Sequence, residues 1–169
     1  MLQLPFCGAG VFMNARFIGW LGLAAVVIGL DQLTKVLVRE GLRLGQGIEI
    51  TSFFDLLYVM NPGASFSFLA GAGGWQRWFF LVLALGICSW LTLMLKRQAG
   101  ERLAPLAFAL IIGGALGNVI DRVLYGAVVD FLYFHMGSHG FPAFNVADSA
   151  ISLGVALMLL EQFLSGKKR

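Results

Sequence analysis

Four stretches of the chain stay apolar for the length of a helix: residues 17–38, 78–95, 103–120 and 146–164. At 1.5 Å per residue, about 20 such residues cross roughly 30 Å of hydrocarbon, so each stretch is long enough to span a bilayer. The two middle stretches carry no charge, whereas the first and last have polar residues embedded in them. Between the first two the period changes. Ile48-Glu49-Ile50-Thr51 alternates, 53–59 is rich in aromatic and branched residues, Asn61-Pro62-Gly63 is a turn signal, and 64–68 alternates again. That pattern predicts a small antiparallel sheet with one apolar face, lying against the membrane surface. Gly71 to Gly74 make a joint before Trp75 and Trp78, which suit the aromatic belt at the interface.

The connection 131–144 is apolar and aromatic but interrupted by Gly137, Gly140 and Pro142. It is too broken to span and reads as an interfacial lid. The expected fold is therefore an all-α membrane protein: a four-transmembrane-helix bundle, a small β-sheet between helices 1 and 2, and a lid segment between helices 3 and 4. Residues 1–169 read as one domain, with 1–15 as a flexible tail.

Basic residues orient the bundle. Arg16 precedes the first span, Lys96, Arg97 and Arg102 lie between the second and third, and Lys167, Lys168 and Arg169 follow the fourth. The positive-inside rule then places both termini in the cytoplasm and the sheet and lid outside. Composition agrees, at 59% hydrophobic, 12% charged and a mean hydropathy of +0.83. A net charge of +3 clustered at helix ends argues against nucleic-acid binding. Cys7 and Cys88 make neither a disulfide framework nor a zinc knuckle. The stretch after Arg16 lacks a small-residue cleavage pattern and reads as a retained helix.

Two carboxylates stand where a membrane protein should avoid them: Asp130 in Val128-Val129-Asp130-Phe131 and Asp148 at the opening of the last span. An ionisable group in hydrocarbon costs about 2.5–3.5 kcal/mol on insertion scales, so such groups point to function. Embedded polar residues also share a depth. Along their helices, Asp31, Asn118 and Asp148 lie about 22, 24 and 28 Å from the cytoplasmic anchors Arg16, Arg102 and Lys167. One buried polar site near the outer surface explains that alignment. Asp31 and Lys35 form an i,i+4 pair in the favourable order. Gly114, Asn118 and Asp121/Arg122 share a helix face, and Gly113 and Gly117 allow another backbone to approach closely. Asp31–Lys35 and Asp121–Arg122 can also be read as ion pairs anchoring helix ends.

Two aspartates within a few ångströms share a proton: one can take a proton from water while the other polarises a carbonyl. Competing readings exist. His135 and His139, with Asp130 and Asp148, could ligate zinc, but no His-Glu-x-x-His motif accompanies them. Ser149 and Ser152 lack a nucleophile elbow. A small proton-coupled transporter could use Asp31, Asp121, Asp130 and Asp148 as a relay, although carboxylates bunched on one side make a poor path.

Five motifs then occur in order: Asp31-Gln32-x-x-Lys35, Asn61-x-Gly63-Ala64, Gly113-Gly114-Ala115-x-Gly117-Asn118-x-x-Asp121-Arg122, Val128-Val129-Asp130-Phe131 and Phe144-Asn145-x-Ala147-Asp148. In these the chain resembles the bacterial lipoprotein signal peptidase (signal peptidase II) family across about 16–165. The resemblance implies an aspartic endopeptidase of the bacterial inner membrane without metal or cofactor, its active site near the extracytoplasmic face. It implies a substrate prolipoprotein carrying diacylglycerol on its lipobox cysteine, cut just before that cysteine. It also implies Asp130 and Asp148 as the catalytic pair. Asp31, Lys35, Asn61, Gly114, Asn118, Arg122, Asn145 and Ala147 would support the pair or hold substrate. Membrane lipids and a monomeric state complete the expectation.

Overall fold

The computed structural model describes residues 15–63, 71, 73–137 and 139–166. In chain order the elements are α1 (Ala15–Gly41), β1 (Gly47–Thr51), β2 (Phe54–Asn61), α2 (Trp75–Gln98), α3 (Leu103–Tyr125), β3 (Val128–Met136), β4 (His139–Gly140) and α4 (Val146–Gly166). All four helices are long and apolar enough to cross a membrane. They begin and end within a few residues of the stretches read from hydropathy.

The helix α3 is the centre of the bundle. Its most apolar window is 67% buried, against 28% for α1 and 17% for α2 and α4, so the outer three helices turn most of their surface to lipid. Leu37, Val82, Trp90 and Phe163 are among the large apolar side chains left exposed. Lipid tails are as apolar as leucine, so burying apolar surface does little to hold these helices together, and close backbone approach must do so instead. The glycines of α3 allow it. A Cβ on Gly113 would meet Val27 Cβ of α1 at 2.7 Å, one on Gly114 would strike the Ala147 carbonyl of α4, and one on Gly117 would sit 2.6 Å from an Asp31 oxygen. Gly154 of α4 returns the contact against Ile111 at 2.6 Å.

The sheet runs β1-β2-β3-β4, antiparallel throughout. β1 matches the alternating segment 48–51, and β2 matches the aromatic and branched segment 53–59. The expected strand at 64–68 and residues 1–14 of the expected tail lie outside the described residues, and Ala15 opens α1. The lid expectation needs correction, because most of 131–144 is sheet. β3 pairs with β2 in a register that sets Val59 opposite Asp130 and Asn61 opposite Val128, with a bulge between Leu56 and Val59. The physical reason lies in composition and topology. Val128 to Phe134 is branched and aromatic, and the free edge of β2 offers unpaired backbone groups. Gly126, at φ 80, ends α3 with its N–H on the Arg122 carbonyl and turns the chain straight into β3. Among the described residues of this stretch, Gly137 and 141–143 lie outside sheet pairing, the latter followed by the bridge between Leu132 and Phe144. Val38, Leu42 and Phe131 bury one another beside Leu56, Tyr58, Leu132 and Val146, fastening the sheet to the end of α1.

Candidate active site

Asp130 lies in β3 and Asp148 in the first turn of α4, and both line one cavity together with Asn61, Asn118 and Arg122. Asn145 connects them. Its Nδ2 donates to Asp130 Oδ1 at 2.7 Å, its Oδ1 accepts the Asp148 N–H at 2.8 Å, and its own backbone N–H reaches Asp148 Oδ2 at 3.3 Å. The last two bonds form a reciprocal capping box, Asn-x-x-Asp, that starts α4. One helix cap therefore fixes the distance between the two carboxylates. The Asn-x-x-Asp spacing was visible in the sequence, and the capping role could have been read from it.

The remaining carboxylate oxygens are also held by amides. Asn118 Nδ2 donates to Asp148 Oδ1 at 2.8 Å, and Asn61 Nδ2 to Asp130 Oδ2 at 3.1 Å. Asn61 is itself set by an Asx turn, its Oδ1 accepting the Gly63 N–H at 3.0 Å. Arg122 Nη2 donates to the Gly63 carbonyl at 2.9 Å and so closes that turn over the cavity. Burial and the neighbouring Asp148 charge push the Asp130 carboxyl from the ordinary 3.8 up to about 7, against the opposing donors Asn61 and Asn145.

Beneath this pair lies a buried ion cluster. Lys35 Nζ is 2.8 Å from Asp31 Oδ2 and 2.8 Å from Asp121 Oδ2, and it donates to Asn118 Oδ1 at 2.9 Å. That last bond occupies the Asn118 oxygen and thereby turns its NH₂ towards Asp148. Asp31 Oδ1 accepts the N–H of Ala147, and Asp121 Oδ2 accepts the N–H of Val129. Ala147 and Val129 immediately precede Asp148 and Asp130. One lysine and two acids from α1 and α3 thus hold the backbone behind each carboxylate. Gln32, named in a motif but not counted among the site residues, stitches the cluster by donating to Asp121 Oδ1 at 2.9 Å and the Gly117 carbonyl at 3.1 Å. Asp121 pairs with Lys35, not with Arg122 as the sequence suggested, because adjacent residues on a helix point in different directions.

Every residue proposed for the site therefore falls in one network or against it, Gly114 and Ala147 through their backbone contact. The carboxylates Asp31, Asp121, Asp130 and Asp148 form one cluster where the helices meet the sheet, not a path along the bundle. His135 belongs elsewhere. Its Nε2 lies 3.2 Å from Asp55 Oδ1 and its ring stacks on Tyr133, and among the described residues no group of metal-ligating side chains includes it.

A family description of signal peptidase (SPase) II matches residues 23–164. The chain belongs to the signal peptidase II family. It is accordingly a protease and a multi-pass membrane protein. A lipoprotein signal peptidase of Azoarcus sp. (strain BH72) is 61% identical over 150 residues, covering 89% of this chain and 85% of the relative. One from Janthinobacterium sp. (strain Marseille) is 49% identical, covering 88% and 90%. Two solved structures, each described as a bacterial membrane enzyme, superpose with TM-scores of 0.81 and 0.74 at 30% and 32% identity. They cover 89% and 85% of this chain and 91% and 92% of their own. In this signal peptidase II member, the five sequence motifs converge on the two carboxylates described above.

Proposed function

We propose that this protease is an aspartic endopeptidase that removes the signal peptide from diacylglyceryl-modified prolipoproteins, cutting just before the lipidated cysteine. The observation carrying this is that Asp130 and Asp148 face one cavity and are bridged by Asn145. The ionised carboxylate takes a proton from a water molecule, whose oxygen attacks the scissile carbonyl. The protonated carboxyl donates to the carbonyl oxygen, giving a tetrahedral diol. That intermediate collapses as the leaving amine gains a proton and the C–N bond breaks. The products are a signal peptide ending in a carboxylate and a lipidated cysteine with a free amine. The pair ends with one proton, as it began.

Asp31, Lys35, Asn118 and Asn145 position the carboxylates, Asn61 and Arg122 shape the mouth, and Gly114 and Ala147 set the seat of α4. The apolar wall of the cavity, including Phe80, Leu83 and Ile87 of α2, suits a substrate that keeps its lipid in the bilayer. The basic residues at the ends of the spans support a bacterial inner-membrane protein with cytoplasmic termini and the site near the outer face. We take it to act as a monomer and a single domain. The test is purified protein in detergent with a diacylglyceryl prolipoprotein peptide, product masses being read directly. A single cut before the lipidated cysteine, lost in Asp130→Asn and in Asp148→Asn, is the expected result. Near-normal turnover by either variant overturns the aspartic assignment.

A further inference from the structure

Three cavities meet at the carboxylate pair. One of about 230 Å³ touches both Asp130 and Asp148, one of about 430 Å³ reaches Asp148 past Phe141 and Phe144, and one of about 290 Å³ reaches Asp130 past Met60 and Pro62. Of the described residues lining them, only Ala143 borders all three. Its backbone is unusual. On one side the Phe141 N–H donates to the Phe134 carbonyl at 2.7 Å. On the other the Phe144 N–H donates to the Leu132 carbonyl at 3.0 Å, and the Phe144 carbonyl accepts from Phe131 and Leu132. Pro142 has no N–H to give. Ala143, half-buried between these anchors, has no partner for its N–H or its C=O among the described residues. A half-buried donor and acceptor left free at the edge of a site are open to a partner.

The substrate supplies one. A peptide bond cannot be hydrolysed while it is folded into a helix, because its carbonyl and amide are occupied. The segment around the cut must unwind, and unwound backbone in apolar surroundings costs several kcal/mol per unpaired group unless the enzyme provides partners. Extended peptides satisfy that need by pairing with an open backbone edge. We propose that Ala143 is this docking point: its N–H donates to a carbonyl, and its C=O accepts an N–H, of the unwound substrate segment beside the scissile bond. The segment 141–143 is then the site's substrate-binding edge. This rests on the peptidase function proposed above.

The experiment replaces single amides by esters in a diacylglyceryl prolipoprotein peptide, sparing the scissile bond itself, and measures kcat/KM with the unmodified enzyme. A net hydrogen bond of about 1.4 kcal/mol corresponds to roughly tenfold, so one ester position should lose about tenfold while its neighbours lose little. In parallel, Ala143→Pro removes the N–H and should show a kcat/KM on the all-amide peptide about tenfold below that of Ala143→Gly, which keeps the N–H. A flat ester scan, all positions within about twofold, overturns the inference, as does equal activity of the proline and glycine variants. The ester scan decides the matter if Ala143→Pro does not fold. Failure of the underlying function would look different: the all-amide peptide would not be cut at all, or Asp130→Asn would cut it normally.

Discussion

Removing the charge of Lys35 is the sharpest test of how the site is held together. Its side chain is 3% exposed and those of Asp31 and Asp121 are 0% and 1%, so the three charges are screened neither by water nor by salt. Lys35→Met leaves the methylene stem and takes away the three contacts of Nζ, two at 2.8 Å to carboxylates and one at 2.9 Å to Asn118. Two buried carboxylates then face each other without a cation. Breaking a buried pair by deleting one partner costs about 3–5 kcal/mol, chiefly through the charge left behind. At about 2–4 °C per kcal/mol for a chain of this size, melting in detergent should fall by roughly 6–20 °C, largely independent of added salt. The triple variant Asp31→Asn, Lys35→Met, Asp121→Asn removes all the charges but keeps an acceptor oxygen for the N–H groups of Ala147 and Val129. It should melt closer to the parent than Lys35→Met alone does. Far-UV circular dichroism during thermal unfolding measures both. A Lys35→Met protein within about 1 kcal/mol of the parent, or a triple variant less stable than the single one, refutes the argument.

Further outcomes follow from the same geometry. Because burial and Asp148 hold the Asp130 carboxyl at about 7, well above its unfolded 3.8, the folded state binds the extra proton. This contribution to stability is complete below about 4 and is lost as pH rises towards 7; Asp130→Asn should flatten that limb of a stability-against-pH curve. For the same reason kcat/KM should decline on the alkaline side with an apparent pKa near 7 belonging to the pair, read from initial rates across pH. Gly117→Ala places a carbon 2.6 Å from Asp31 Oδ2 and should lower both melting temperature and turnover, whereas Gly86→Ala, with nothing within 4 Å, should change neither. Asn145→Ala removes the α4 cap and the bridge to Asp130 at once, which predicts a loss of about 1 kcal/mol in stability but a far larger loss in kcat, separable by comparing melting with rate.

Much of this arrangement is legible in the sequence because a bilayer permits few solutions. Long apolar runs must be helices, and a carboxylate among them must be held by something, so the depths of Asp31, Asn118 and Asp148 already indicated one site. What escaped was pairing between distant segments. The strand Val128–Met136 carries no strict alternation, since four consecutive residues from Val128 to Phe131 are buried. Its residues from Phe131 onward, apolar and aromatic, read as part of a lid over 131–144. Its partner, β2, lies on the far side of two helices in the sequence, so nothing local announced the match. The direction of Asp121 was hidden for a similar reason: Arg122 beside it in sequence offered a nearer cation than Lys35 of another helix.

The distribution of charge explains why the upper pair, and not the lower one, suits acid–base work. Four carboxylates share two cations, Lys35 and Arg122. Lys35 is engaged by Asp31 and Asp121; Ala147 takes the other Asp31 oxygen, Gln32 takes the other Asp121 oxygen, and Val129 shares the Asp121 oxygen that meets Lys35. Arg122 spends its described hydrogen bonds on the carbonyls of Gly63 and Asn118 and on no carboxylate. Among the described residues, Asp130 and Asp148 therefore accept hydrogen bonds only from neutral amide donors, Asn61, Asn118 and Asn145. Neutral donors orient a carboxylate without cancelling its charge, and two adjacent carboxylates with no cation between them lower their mutual repulsion by keeping one proton. The lower cluster is a clamp in which one lysine is shared by two carboxylates, and the upper pair is left with the single shared proton that the proposed hydrolysis by water requires. A substitution that brought a cation onto the pair, such as Asn118→Lys, would dissolve that difference by stabilising both carboxylates in ionised form, and so should abolish turnover even if every other contact survived.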